Sequence, residues 1–424
     1  MTVPEPPPDP GDVLARVRRE ELSRLVATLV RRFGDLDLAE DAAQDAMVSA
    51  LRTWPRDGVP RSPLAWLTST ARNAALDRVR RDDGLARRLA ELHLREQDRA
   101  PDPADAAALA ADDLPDDRLA MLMGCCHPAI APADRIALML RFVGGLSSAE
   151  VAQALLLPLP TVQARLTRAK KRIAGAGIPL EVPEDPAERE RRLPLVLTAI
   201  SLVFTEGYAA SHGDAPIRRE LTAEAIRLAR ITQGLLPGAA EPEGLLALLL
   251  LTEARASARV DAEGVPVSLE EQDRGLWDRE LLAEGSRRAE RAAAMPGAGR
   301  FTIQAAIAAV HAEATDLSGT DWAQVVALYD LLLGLGEDPV VRMNRAIALG
   351  RRDGPASGLA ALDALRGIAE LERHVPFHAA RGLTLAELGR EEEARAVLAA
   401  ARELAPEGPD RRFLQARLRR LDAD

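Results

Sequence analysis

Apolar residues recur at helical spacing along almost the whole of this 424-residue chain, and they are mostly Ala, Leu and Val. Runs of β-branched residues are few, and aromatic side chains make up only 3% of a chain that is 47% hydrophobic. This pattern predicts an all-α protein. A single core serves about 150 residues, so the length predicts two to four domains.

The formal net charge of -10 argues at first against a nucleic-acid partner, because affinity for phosphate comes from Lys and Arg. The distribution reverses that reading. Between Val151 and Leu180 there is no Asp or Glu, whereas Arg165, Arg168, Lys170, Lys171 and Arg172 crowd together, and Lys170 and Lys171 are the only lysines in the chain. A basic helix on an acidic protein is a local electrostatic footprint, and a DNA backbone meets the local field.

Cys125 and Cys126 are the only cysteines and are adjacent, so no disulfide framework spans the chain, which suits a reducing cytoplasm. With His127 they suggest a metal site, but adjacent thiols do not have the spacing of separated zinc-ligand pairs, and a core or helix-end role fits better. The Pro-rich, acidic start MTVPEPPPDPGD lacks a signal pattern, and the apolar stretch GLLALLLL is far below spanning length. No membrane segment, metal or cofactor is expected.

Six segments follow from the changes in composition. Residues 1–12 read as a disordered, Pro-rich terminus. A helical block covers 13–88, in which DLDLAEDAAQDAMVSALRTWP ends at a Trp-Pro stop, RDGVPRSP forms a loop, and PLAWLTSTARNAALDRVRR forms a long amphipathic helix. Residues 89–116, rich in Ala, Asp and Pro, read as a linker; 117–175 as a small helical domain; 176–192 as a second linker; and 193–424 as a wholly helical domain. In that last domain HAARGLTLAELGREEEARAVLAAARELAPEG has the look of a tetratricopeptide hairpin, and such pairs stack into a concave surface.

The segment LSSAEVAQALLLPLPTVQARLTRAKKRI carries the strongest motif. Ser147 and Glu150 have capping-box spacing, so a helix starts near Ser148 and runs to about Leu156. Pro158 breaks it, and Pro160 suits the first turn of a second helix, where its missing N–H is not needed. Val162, Leu166, Ala169 and Ile173 form one apolar stripe on that second helix. The opposite face presents Thr161, Gln163, Ala164, Thr167, Arg168 and Lys171, with Arg165 and Arg172 at its flanks. Short polar groups followed by long cations suit a helix that reads the major groove and neutralises phosphates.

In the first block Asp41, Gln44, Asp45 and Val48 share one helix face, opposite Ala42, Ala43, Ala46, Met47 and Ala50. An acidic stripe of this kind can pair with a basic partner helix. On the following helix Arg72, Asn73, Asp77, Arg80 and Arg81 are the polar residues available to DNA, while Trp66, Leu67 and Leu76 read as core.

These segments together resemble bacterial RNA polymerase sigma factors of the extracytoplasmic-function class. LMLRFVGGLSSAEVAQAL followed by LPTVQARLTRAKKRI is similar to region four, and LAEDAAQDAMVSAL with PLAWLTSTARNAALDRVRR is similar to region two. The resemblance implies core RNA polymerase and promoter DNA as partners. It implies that Asp41, Gln44, Asp45 and Val48 meet the clamp coiled coil of the polymerase largest subunit. Arg72, Asn73, Asp77, Arg80 and Arg81 would then meet the −10 element, with the loop from Arg56 to Pro63 taking a flipped base. Thr161, Gln163, Ala164, Arg165, Thr167, Arg168 and Lys171 would meet the upstream −35 element.

LVFTEGYAASHGDAPIRRELTAEAIRLAR is similar to the long C-terminal extension of one subgroup of these factors, a tetratricopeptide-like helical domain that implies regulation or a protein or ligand partner. Glu206, Tyr208, His212 and Asp214, with His311 and Glu313, could form a ligand site or an acid/base set there, but a buried hydrogen-bond network accounts for them better, since no nucleophile or phosphate-binding glycine loop accompanies them. The chain is therefore expected to be a non-enzymatic cytoplasmic initiation factor. Two rivals stay open: a helix-turn-helix regulator that binds duplex DNA without polymerase, and an enzyme housed in the C-terminal block.

Overall fold

The computed structural model describes residues 9–81, 117–155, 157–209, 217–262 and 264–423, without the side chains of residues 18–20, 81 and 423. Among them every regular element is a helix, and the one extended feature is an isolated bridge between Val260 and Pro266. None of these helices is long and apolar enough to cross a membrane. The chain divides into two compact units, 1–203 and 204–424.

The first unit opens with α1 (Pro10–Glu20), α2 (Leu22–Phe33), α3 (Leu36–Asp57) and α4 (Pro63–Arg81). Gly34, at φ 69°, ends α2 in the left-handed conformation that glycine tolerates best. Asp35 then caps α3 by accepting from the Leu38 N–H at 3.0 Å. Ala39, Ala42, Ala43, Ala46 and Ala50 are all buried on α3, and these small side chains let α4 approach with Leu64, Leu67, Ala71 and Ala75. Trp54, only 2% exposed, closes the far end of this core and meets Trp66 edge to face at 5.6 Å. The expected stop at Trp54–Pro55 does not occur there: Pro55 gives up only its own bond to the carbonyl four residues before it, and α3 continues to Asp57, where the Gly58 N–H closes it on the Trp54 carbonyl.

The unit continues with α5 (Arg118–Cys125), α6 (Pro132–Phe142), α7 (Ser148–Ala154), α8 (Leu159–Ala176) and α9 (Pro186–Tyr208), which runs past the unit boundary. The helix thus starts inside the segment 176–192 expected as a linker, and α1 likewise starts inside the expected disordered terminus. The linker expected at 89–116 and the end of the first block, 82–88, lie outside the described residues. Cys125 ends α5 and Cys126 caps it; both are buried, and burial pushes both thiols up, Cys126 to about 12. These are inert core thiols rather than ligands.

The second unit holds α10 (Arg219–Leu235), α11 (Ala240–Glu253), α12 (Arg279–Ala294), α13 (Arg300–Glu313), α14 (Trp322–Gly334), α15 (Pro339–Asp353), α16 (Pro355–Asp363), α17 (Ala369–Glu372), α18 (Val375–Glu387), α19 (Glu391–Leu404) and α20 (Pro409–Ala423). Its core is a series of small clusters, each shared by helices that follow one another in sequence. Ala247, Leu251, Ala289, Ala305 and Ala309 join α11, α12 and α13; Ile307, Val310, Val325, Val326 and Ala348 join α13, α14 and α15. Leu398, Ala401, Ala405, Leu414 and Leu418 join α19 and α20. Nearest-neighbour burial of this kind is the logic of stacked helical hairpins. Glu241 fastens one joint, accepting from the N–H groups of Gly299, Phe301 and Thr302 at 3.0 Å and so satisfying the open start of α13.

Candidate functional site

The helix-turn-helix forms from local signals. The Glu150 N–H donates to Ser147 Oγ at 3.2 Å and the Ser147 N–H to Glu150 Oε2 at 2.6 Å, so both halves of the capping box are present. Pro158 caps α8, and Pro160 sits in its first turn. Val162, Leu166, Ala169 and Ile173 are buried, which fixes the rotation of α8 about its axis. Gln163, Ala164, Thr167, Arg168 and Lys171 are exposed as a result, and Thr161 and Arg165 are half-buried at the edge.

The cations on α8 are not equivalent. Arg168 donates to Asp134 on α6 at 3.1 Å, and Arg165 to the Ala133 carbonyl at 3.1 Å, so the start of α6 holds both guanidiniums in place. Arg172 donates to the Ala129 carbonyl at 3.1 Å. Lys170 turns the other way: it is half-buried, pairs with Asp37 at the start of α3, and lies 3.8 Å from Glu40. Glu40 also receives Arg141 from α6, so a small charge cluster ties α3 to α6 and α8. Arg31 on α2 likewise pairs with the buried Asp117 just before α5. Lys171 alone among these five makes no ion pair or hydrogen bond among the described residues, and it faces solvent.

Asp41, Gln44, Asp45 and Val48 are all exposed on one face of α3, with the buried alanines behind them. This face is already partnered within the first unit. Arg78 on α4 pairs with Asp41 and, at 2.7 Å, with Asp45. Two carboxylates one turn apart repel each other, and a guanidinium between them relieves that repulsion. Hydrogen bonding to Asp45, with Asp41 adding to it, holds Arg78 above its ordinary range.

On α4, Asn73, Asp77 and Arg80 are exposed, and Arg80 lies 3.7 Å from Asp77. Arg72 is half-buried, and burial, with repulsion from Arg32, lowers its pKa. It therefore reaches solvent less than expected. The side chain of Arg81 lies outside the described residues. The loop between α3 and α4 is shorter than the expected span from Arg56 to Pro63, since Arg56, Asp57 and Pro63 belong to the flanking helices.

Sequence reasoning missed Arg78, Asp134 and Glu40, and counted Lys170 only as part of the basic footprint. Arg78 was legible as a cation opposite the acidic stripe on the next helix. Asp134 and Glu40 were not, because each meets its partner only through tertiary packing.

In the second unit Glu206 is buried, and Tyr208 stacks on Phe204 at 5.7 Å. The His311 ring meets Trp322 edge to face at 5.3 Å, and burial, with Arg255 and Arg274 nearby, pulls its pKa down to about 4. Glu313 is exposed, and His212 and Asp214 lie outside the described residues. No group of three His, Cys, Asp or Glu residues placed to hold a metal occurs among the described residues.

Comparison with known proteins agrees with this division. Residues 18–84 match the model of sigma-70 region 2, residues 120–173 that of sigma-70 region 4, and residues 192–293 a family of unknown function (DUF6596). An uncharacterized protein of Rhizobium meliloti (strain 1021) is 41% identical over 404 residues, covering 94% of this chain and 93% of its own length. The ECF RNA polymerase sigma factor SigK of Mycobacterium ulcerans (strain Agy99) is 28% identical over 156 residues, 37% of this chain and 80% of its own. No solved structure matches the chain.

Proposed function

The chain belongs to the sigma-70 family, as an extracytoplasmic-function sigma factor with a C-terminal helical extension, and from that premise we propose how its surfaces divide the work of initiation. Its role is in transcription initiation, with core RNA polymerase and promoter DNA as partners, and the sigma-factor families it matches are not enzymes. The observation that carries the finer reading is the separation of two exposed faces on adjoining helical bundles of one unit.

Thr161, Gln163, Ala164, Arg165, Thr167, Arg168 and Lys171 line the face of α8 that would enter the major groove of the upstream element. Gln163 and Ala164 lie nearest the helix start and are placed to read base edges. Arg168, braced by Asp134, would present its guanidinium in a fixed plane, as bidentate recognition of guanine needs, while Lys171 would neutralise a phosphate without regard to sequence. Asn73, Asp77 and Arg80, with Arg72 and Arg81, would meet the −10 element.

Asp41, Gln44, Asp45 and Val48 would dock on a basic helix of the polymerase, which would compete with Arg78 for the two carboxylates. We place the chain in the cytoplasm with the polymerase, and we assign the second unit a regulatory or partner-binding role, supported by its stacked hairpins.

The test is run-off transcription with core polymerase on promoters upstream of the protein's own gene and its neighbours. Initiation lost in Asp45→Arg together with co-purification of polymerase supports the docking face. Unchanged co-purification would remove it. Tight duplex binding without polymerase would instead favour a stand-alone regulator.

A further inference from the structure

The segment 254–278, between α11 and α12, places three arginines against aromatic rings. Arg255 and Arg274 lie over the Trp277 ring at 5.4 and 4.6 Å, and Arg259 lies over the Tyr208 ring at 4.3 Å. Trp277 is buried, and Tyr208, Arg255, Arg259 and Arg274 are half-buried. None of the three arginines forms an ion pair among the described residues. Arg255 is held by Gln272 Oε1 at 3.2 Å, and Arg274 by the carbonyls of His311 and Ala314 at 2.7 and 2.5 Å.

Burial lowers the pKa of Arg255, Tyr208 opposes this, and repulsion from Arg259 and Arg274 adds to it. Asp316 acts on Arg274, but it is exposed and already accepts from Ser318 and Gly319. Ring faces return about 0.5–2 kcal/mol per cation, whereas desolvating an ion costs several. Among the described residues, these three guanidiniums are met by rings, an amide and carbonyls, and none of them by a paired carboxylate.

The hydrogen-bond inventory points the same way. The Tyr208 hydroxyl, the Trp277 indole Nε1 and Arg274 Nη2 are buried donors with no acceptor among the described residues. An unmet buried donor costs about 1–3 kcal/mol. These donors, one of them on the Arg274 guanidinium itself, call for one group rich in acceptor oxygens and negative charge.

We propose that Arg255, Arg259 and Arg274, with the Tyr208 hydroxyl and the Trp277 indole, bind a small oxyanion, either a carboxylate or a phosphate group. Guanidiniums match both geometries through paired N–H donors. The site would make the second unit a sensor of a small anionic metabolite, independent of the promoter and polymerase faces assigned above. The acid/base reading of Tyr208 and His311 gives way to it: among the described residues, the charged groups that act on His311 are the cations Arg255 and Arg274.

The experiment is calorimetric titration of the full chain with sodium phosphate and, separately, sodium succinate, each against sodium chloride at matched ionic strength. The expected result is saturable binding of one of the two, which also names the class, and an anion-dependent rise in the thermal midpoint. Arg259→Gln should weaken binding at least about tenfold, as loss of a charge-assisted contact does. Arg373→Gln, an exposed arginine elsewhere in the unit, should bind as the unmodified chain does. Arg255→Gln is the stronger perturbation; if it unfolds the unit, the less constrained Arg259 decides. Binding of neither anion beyond chloride, or binding unchanged in Arg259→Gln, overturns the site.

Discussion

Lys170 and Lys171 are adjacent and chemically identical, yet a rotation of about 100° around the helix gives them different tasks, and replacing each by Ala separates the two. Lys170 lies 3.8 Å from Glu40 and pairs with Asp37. At an effective dielectric of about 20 the Glu40 attraction alone is ~4 kcal/mol gross. Three things reduce it. Asp37 is 66% exposed, so its share is that of a surface pair. Ordering a lysine costs side-chain entropy. Glu40 keeps Arg141 when Lys170 is removed, so no carboxylate is orphaned.

The net expectation is a loss of ~1 kcal/mol for Lys170→Ala, against less than ~0.5 kcal/mol for the exposed Lys171→Ala. Urea unfolding of the full chain with Trp277 and Trp322 replaced by Phe, so that fluorescence follows Trp54 and Trp66 in the first unit, reads this difference. The functional readout should invert the order. With holoenzyme on promoter DNA, Lys171→Ala should lower the slope of log affinity against log salt by about 0.9, one phosphate contact, and Lys170→Ala should leave that slope alone. A salt slope that moves for Lys170 and not for Lys171, or equal losses of stability from both, would refute the assigned rotation of α8.

Two further outcomes are expected. His311, held near a pKa of about 4 mainly by burial, should bind its proton less readily than in the unfolded chain, whose value is about 6.5. The unfolded state then binds more protons between those two values, so the stability of the second unit is full above pH 6.5 and falls by ~3 kcal/mol as pH drops through that window. Denaturant titrations from pH 7 to 4 should show this slope, and His311→Gln should flatten it. Gly244→Ala adds a methyl that would sit 2.7 Å from the Thr302 backbone across the α11–α13 contact. Helix propensity favours Ala by about 1 kcal/mol, but overpacking against backbone costs ~1–3 kcal/mol. A lower thermal midpoint is therefore expected, and a raised one would show that the helices part easily.

What the sequence revealed was what short-range physics decides. The stripe Val162, Leu166, Ala169 and Ile173 is buried at 0%, 6%, 1% and 2% exposure, because a 3.6-residue period needs no tertiary knowledge. The capping box and the Pro160 turn were equally local. The small side chains that admit α4 against α3 were visible as alanines spaced to one side of the acidic face. The Trp54–Pro55 stop failed because a proline removes only its own bond to the carbonyl four residues before it, and whether the chain adds another half-turn after it is not given by spacing alone. The partners of Lys170 and Arg168 lie 133 and 34 residues away, and no periodicity links such positions. The arginine cluster was hidden for the same reason: Tyr208 ends α9, Arg255 and Arg274 lie between α11 and α12, and only packing brings them together.

The same distinction explains how an acidic chain can present a basic reading helix. Within the first unit the carboxylates nearest to α8 are already spoken for: Asp37 and Glu40 by Lys170, and Asp134 by Arg168. Each of these pairs removes a negative charge from the field that DNA would meet while fixing the helix that carries the contacts. Lys171 is left with an uncancelled charge, and Gln163 and Ala164 with an unobstructed edge. On α3 the arrangement is the reverse, with Arg78 holding Asp41 and Asp45 as a pair that a stronger basic partner can take over. Exposed pairs of this kind are worth roughly 0.2–1 kcal/mol each, so displacing Arg78 would cost a polymerase helix little and leave two pre-aligned carboxylates to receive it.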